Sequence, residues 1–391
     1  LCLRRPGIEL AVGNGKGVEE ITVMTLPGLN LSAKALRERV GNMDQLAAVK
    51  VVQLDDGFGR PARYANVYTG SGLQYSVALD RGIDIASASF KGMPMGWRGV
   101  SGDVAPQYYE AEGIRWLRSY FGGLMTTCGL TNVGAPLPDS PESGEGLHGR
   151  IGNTPAHDVA VFQGWEGKHY VLRVSGACRQ ATTFGENLLL RRTVTTALGA
   201  SFFEVEDEIT NEGCRKTPFT LLYHCNVGWP AVEEGSRVLT PSKSITARDS
   251  DAEDGLKDWG RLHGPKAGYA EKVYFHEMKP GRDGTVTVAI VNKALQEGDG
   301  FGVAIHYEQE NLPRFTQWKM LGQQEYVVGL EPCNCGVAGR LADEAEGRLQ
   351  YLKPGESRRT RLRFEALTTA LDFARIVKLV GKVTPRLNKH T

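Results

Sequence analysis

The sequence predicts an all-β protein of large antiparallel sheets with short helices at the chain ends, and three observations carry that prediction. Short runs rich in Val, Ile, Leu, Tyr, Phe and Thr recur along the chain, and 48 glycines fall largely between them, the punctuation of many strands joined by turns. Strict alternation is plain in Phe202–Ile209 (FFEVEDEI), where Phe203 and Val205, with Asp207 in line, share one face and Glu204, Glu206 and Glu208 share a solvated acidic one. Helical spacing is confined mainly to the two ends.

Taken in order, Ser32–Val49 is expected to be helical with Ser32 as N-cap. Strands are expected at Leu73–Leu79, Ile83–Phe90, Val159–Phe162, His169–Ser175, Asn187–Thr196, Ser201–Thr210, Phe219–Tyr223, Thr285–Val291, Gly302–Tyr307, Glu325–Leu330 and Ser357–Glu365. Between Lys91 and Gly146 the alternation fails; Trp97, Tyr108, Tyr109, Trp116, Tyr120 and Phe121 instead sit among glycines and the turn-rich APLPDSPESGEG. A long ordered loop of this kind lines a site or packs over one. The closing helix, within Ala366–Val380, carries Leu367, Ala370, Leu371, Ala374 and Val377 at helical spacing. So many strands exceed one sandwich of about 100 residues, and the organisation expected is an extension over residues 1–65 packed on a β-sandwich domain over 66–391.

Charge narrows the function classes. The 46 Lys and Arg nearly cancel the 45 Asp and Glu, so neither nucleic acid nor an anionic membrane is an expected partner and a neutral small molecule is. Seven irregularly spaced cysteines make no disulfide scaffold; Cys128, Cys178 and Cys225 lie in apolar surroundings, and buried free thiols in a reducing cytoplasm are expected. No apolar run approaches the ~20 residues of a membrane span, and Leu1–Leu10 lacks the apolar core of a signal peptide.

Chemistry concentrates in three places. Glu331 follows an apolar run of strand character in YVVGLEPCNC, where partial desolvation would raise its basicity. His224, in FTLLYHCNVGWP, is expected where a strand passes into a turn, and a neutral imidazole there can donate or accept near pH 7. His148 is flanked by glycine in LHGR, and Arg150 offers a planar fork for a hydroxyl or carboxylate. Each residue alone is as readily structural; together they suggest proton transfer. Cys333 and Cys335 lack a second Cys/His pair, VYFHEM lacks the second histidine of HExxH, and neither a nucleotide-binding glycine motif nor a GxSxG elbow is present. No metal and no cofactor are expected.

The segments LHGR, YHCNVGW and VVGLEPCN resemble the three signature regions of the aldose 1-epimerases (galactose mutarotases), in the same order, with His148, His224 and Glu331 spaced 76 and 107 residues apart. The resemblance extends over Gly70 to Glu365 and implies a β-supersandwich. It further implies that His148 binds substrate, that His224 is the general acid and that Glu331 is the general base of sugar ring opening. The Asn-Arg pair usual upstream of LHG in that family is missing, since the region reads YFGGLMTTCGLTNVG. Arg81 and Arg118 are the substitutes considered, and His276 is a candidate for the place of a sugar-binding Asp. Trp318 would stack on the sugar, with Gln317, Asn226 and Arg150 reading hydroxyls.

The resemblance is to a side branch of the superfamily more than to galactose mutarotase itself. The first alternative is a keto-sugar epimerase, isomerase or lyase using the same Glu and His beside a carbonyl. A second is a carbohydrate-binding protein without turnover. The chain ends are available for a homodimer contact.

Overall fold

The computed structural model describes residues 31–137, 145–295 and 299–390. Residues 1–30 of the expected extension and residues 138–144 of the turn-rich segment lie outside them. Three sheets dominate. The first joins Ala48–Gln53, Arg63–Tyr68, Leu73–Ala78, Asp84–Phe90 and Met93–Pro94 in chain order. The second runs Arg237–Leu239, Thr285–Asn292, Phe301–Glu308, Ser357–Leu367, Phe202–Asn211, Asn187–Ala197, His169–Ala181, His157–Glu166. The third runs Gln350–Leu352, Thr217–Gly228, Tyr326–Cys333, Arg314–Leu321, Lys272–Met278, Ser242–Ala247, Arg386–Asn388, and Thr126–Leu130 also pairs with Thr217–Gly228. All these strand pairs are antiparallel except Ser242–Ala247 with Arg386–Asn388.

The second sheet packs against the other two, with Tyr75 stacked on Phe203 at 4.4 Å and Tyr307 on Phe315 at 6.1 Å between ring centres. Phe203, Val205, Ile209, Leu362 and Phe364 supply one side of this core and Leu221, Tyr223, Val328 and Leu330 the other. Each large side chain removed from water here contributes about 1.5–3 kcal/mol. At the centre Arg192 is fully buried, paired with Asp84 at 2.7 Å and bidentate to Asp207 at 2.6 and 2.7 Å. Thr127 and Tyr223 complete the cluster, through Thr127 Oγ1 to Asp84 and Tyr223 Oη to Asp207. One buried network therefore ties all three sheets together, and Asp207 occupies the inward position that alternation gives it.

Local sequence explains where expectation and structure part. Ser32 caps a helix as expected, accepting from Ala35 N–H, but the helix covers only Ala33–Arg37. Asn42 then caps a single turn at Met43–Gln45, and a strand begins at Ala48. The closing helix is Ala370–Val380, started by a capping box between Thr369 and Asp372. Its buried face is Phe373, Ile376 and Val380, while Leu371 is 82% exposed, so the apolar stripe expected through Leu371 and Val377 points outward. Two further short helices, Ser250–Asp254 and Arg340–Ala345, lie within the chain.

The strands bearing the ionisable residues run longer than expected. Thr217–Gly228 and Tyr326–Cys333 carry His224 and Glu331 inside strands, away from a turn or strand end. Leu222 faces Cys333 and Cys225 faces Leu330, a register that sets His224 across from Glu331. The ladder is interrupted between these two pairs, where Pro332 has no N–H to give.

Candidate active site

Strand parity decides what this site contains. In Thr217–Gly228 the odd residues Leu221, Tyr223, Cys225 and Val227 enter the core, so Leu222, His224 and Asn226 face the other way. On the neighbouring strand Gly329, Glu331 and Cys333 share that face, and on the next Thr316 and Trp318 lie opposite Glu331 and Gly329. Over this floor folds the irregular segment after Lys91, which brings Trp97, Trp116 and Tyr120. Trp116 packs against His148, Tyr120 against His224 and Trp97 against Trp318.

His224 Nε2 lies 3.3 Å from Glu331 Oε1, and both side chains are buried. The contact is not a formed hydrogen bond, and Glu331 Oε1 has no hydrogen-bond partner. Burial, with a smaller contribution from Glu271, holds the Glu331 carboxyl well above its ordinary range. Burial, reinforced by His148, brings His224 down to about 3. Both shifts favour the uncharged form of each group.

His148 sits edge-on to His224, ring centres 5.7 Å apart, and 4.9 Å from Trp116. Its backbone is left-handed, φ +59°, a conformation uncommon outside glycine and asparagine. Two main-chain bonds hold it there, from His148 N–H to Gly134 O and from Gly129 N–H to His148 O. Gly134 N–H donates to His148 Nδ1 at 3.3 Å, which puts the proton of the neutral ring on Nε2. Burial lowers this imidazole to about 4.

Aromatic rings complete the walls. Tyr120 stacks on Trp116 at 4.4 Å and meets His224 at 5.5 Å. Trp318 stands 5.3 Å from His224 and 6.3 Å from Trp97, its Nε1–H donated to Glu271 at 2.7 Å. Asn226 reaches His224 Nδ1 at 2.6 Å and Tyr120 Oη at 2.8 Å.

The remaining candidates separate into two groups. Arg150, two residues from His148, is half-buried near Tyr109, and its guanidinium has no bonded partner among the described residues. His276 and Gln317 are bonded to each other at 3.1 Å on the opposite face of the sheet, with Ser242, Trp259 and Phe315 around His276. Parity is the reason: Gln317 faces Tyr274 across the ladder, one residue out of phase with Trp318. Arg81 is a strut as well; buried beside Phe121, it donates to the carbonyls of Gly152, Val104 and Ser119. Arg118 is an exposed partner of Glu110. These four are structural, and none joins the His224–Glu331 pair.

Sequence reasoning did not single out Gly329, although a glycine inside a strand marks close approach. Tyr120 was visible only as one of several aromatics. Among the described residues no group of three or more His, Cys, Asp or Glu is arranged to hold a metal ion, and no helix is long and apolar enough to cross a membrane. The six described cysteines are free, with Cys128, Cys178 and Cys225 buried.

Residues 59–366 match the family described as a domain of unknown function (DUF4432). No match was found among curated proteins. Among solved structures, one from Klebsiella pneumoniae subsp. pneumoniae MGH 78578, described as a "putative aldose 1-epimerase", superposes with a TM-score of 0.82 at 28% identity, over 89% of this chain and 93% of that one. A galactose mutarotase-like protein from Clostridium acetobutylicum gives 0.56 at 11% identity, over 83% and 100%. Galactose 1-epimerase from Lactobacillus acidophilus NCFM gives 0.52 at 13%, over 82% and 98%. The last two show a shared fold, the galactose mutarotase-like β-supersandwich.

Proposed function

The chain belongs to the DUF4432 family, and from the geometry of its own cleft we propose that it is an aldose 1-epimerase-like isomerase that interconverts sugar anomers by acid/base ring opening. The observation that carries this reading is the buried contact of 3.3 Å between His224 and Glu331, with the rings of Tyr120, His148 and Trp318 packed around His224. Ring opening needs one group to take the proton of the anomeric hydroxyl while another gives a proton to the ring oxygen. Rotation about one carbon–carbon bond and reclosure then return both protons. Two adjacent groups that share a proton can do this in either direction, and positioned acid–base groups typically contribute about 10²–10⁴-fold.

The surrounding residues suit a neutral sugar. Trp318 and Trp97 offer apolar faces, His148 Nε2–H is a donor for a hydroxyl, and Arg150 has bonding capacity to spare. The Klebsiella protein's described activity supports the same reading. No step requires a cofactor.

The test is exchange NMR on a panel of free aldoses and keto-sugars in D₂O with wild type and Glu331→Gln. Faster α/β interconversion, lost in the variant and without deuterium on carbon, is the expected result. Deuterium at carbon would instead assign proton abstraction beside a carbonyl, and absence of exchange with every sugar would leave binding without turnover.

A further inference from the structure

The amide of Asn226 is oriented by two main-chain oxygens. Its Nδ2 donates to His224 O at 3.0 Å and to Gly122 O at 3.3 Å. Carbonyls only accept, so a flipped amide would set oxygen against oxygen at both positions. Asn226 Oδ1 is thereby fixed toward His224 Nδ1, 2.6 Å away, where it also accepts from Tyr120 Oη at 2.8 Å. An amide oxygen cannot donate, and Tyr120 Oη, 3.2 Å from Nδ1, gives its proton to that same oxygen, so Nδ1 of His224 carries a proton of its own. In a neutral ring, Nε2 then bears a lone pair, and it lies 3.3 Å from Glu331 Oε1.

Glu331 determines the rest. A buried carboxylate is tolerated where donors surround it, as three donors surround Asp84. No N–H or O–H reaches Glu331 Oε1, and the unprotonated nitrogen of His224 stands 3.3 Å from it. The ionisable groups that interact with Glu331 are Glu271, Tyr120, Cys128, Cys225, Cys333 and His224, of which only His224 could carry a positive charge, and burial disfavours that form. An ion pair of imidazolium and carboxylate would place two charges in this setting without the hydrogen bonds that buried ions need.

We infer that Asn226 is a positioning residue that sets the tautomer of His224, and that the single proton of the resting pair resides on Glu331. On the proposed reaction, on which this inference builds, Glu331 is then the acid and His224 the base, the reverse of the assignment implied by the sequence resemblance. His224 Nε2 takes the anomeric O–H proton, and that bond's electron pair forms the carbonyl. The ring C–O bond breaks with its pair on the ring oxygen, which takes the Glu331 proton. The pair becomes imidazolium and carboxylate, attractive and with no change of total charge, and reclosure restores it.

The two assignments contain the same number of protons, so a pH–rate profile of the wild type does not separate them. Nitrogen NMR does. On full-length, ligand-free protein with ¹⁵N-labelled histidine at pH 7, assigned by loss of the signals in His224→Gln, we expect one protonated and one unprotonated ring nitrogen, the protonated one being Nδ1. Infrared difference spectra should show a protonated carboxyl band that disappears in Glu331→Gln. An imidazolium pattern, or an Nε2–H tautomer, would overturn the inference. So would the lack of a protonated Glu331 band.

A second variant isolates the role of Asn226. Asn226→Asp puts a carboxylate beside Nδ1–H and is expected to convert His224 to imidazolium at pH 7, with kcat reduced at least tenfold and KM changed less than threefold. A neutral ring in that variant would refute the positioning role. The spectroscopic results do not depend on substrate, so they stand or fall separately from anomer exchange.

Discussion

Gly329 and Glu331 lie two residues apart on one face of a strand, and a β-carbon on Gly329 would sit 2.3 Å from Glu331 Oε1. The carboxyl folds back over the space that the missing side chain leaves. Trp318, opposite Gly329, bounds the same space, its Cβ 3.1 Å from that position. Gly329→Ala should therefore displace the carboxyl without unfolding the chain, because the end of a Glu side chain can move. A shift near 1 Å lowers kcat/KM for anomer exchange by about 10²-fold. Activity and melting temperature measured together test this; unchanged activity would show that the carboxyl position is not critical.

Trp318 is held by its bond to Glu271 and by edge contacts with Trp97 and His224. If it is a stacking platform, Trp318→Ala removes about 1 kcal/mol of sugar contact. KM should rise five- to tenfold with kcat within threefold. A fall confined to kcat would instead mean that the indole orients His224.

Arg192 neutralises two buried carboxylates, and removing it strands them. Arg192→Met is expected to destabilise by about 3–5 kcal/mol in urea unfolding. Adding Asp84→Asn and Asp207→Asn should recover part of that loss, since the uncompensated charges are then gone. If the triple variant is less stable than Arg192→Met, hydrogen-bond geometry outweighs charge in this cluster.

Stability should depend on pH in two opposite senses. His148, His224 and His276 are lowered by burial to about 4, 3 and 3, against 6.5 in the unfolded chain. The unfolded state binds more protons between these values, so their contribution is complete above pH 6.5 and is lost as pH falls toward 3–4. At pH 5 the loss at each is roughly 2 kcal/mol. The Glu331 carboxyl is raised by burial, so the folded chain holds this proton to higher pH than the unfolded one and stability declines as pH rises above the ordinary carboxylate range. His276→Gln should flatten the loss between pH 6.5 and 5 by about a third, and Glu331→Gln should gain on the wild type as pH rises to 8. Urea unfolding at pH 5, 6, 7 and 8 measures both slopes.

Much of this was legible in the sequence, and what was not has a common cause. Asn187–Ala197 and Phe202–Asn211 announce themselves by β-branched runs and alternation, and His148, His224 and Glu331 by their local motifs. Thr217–Gly228 is buried almost throughout, so it shows no alternation from which to read which face a polar residue takes. A shift of one residue moves a side chain through the sheet, which is how Gln317 and His276 fall behind the cleft while Trp318 lines it. Arg81 answers carbonyls as far along the chain as Gly152, and Tyr120 meets His224 across 104 residues. Such partners come from tertiary packing and have no local signature.

Tyr223 and His224 are neighbours that serve opposite sides of one strand. Tyr223 is bonded to Asp207 and Thr360 in the interior, and His224 faces the cleft. Any tilt of that strand that re-aims the imidazole also strains a buried ionic cluster, so the floor of the cleft resists gradual adjustment. Freedom to take new substrates lies in the walls, where Trp116, Tyr120 and Arg150 stand outside the large sheets and Trp97 on a two-residue strand. A laboratory search for altered sugar preference should vary those segments first and leave the strands alone.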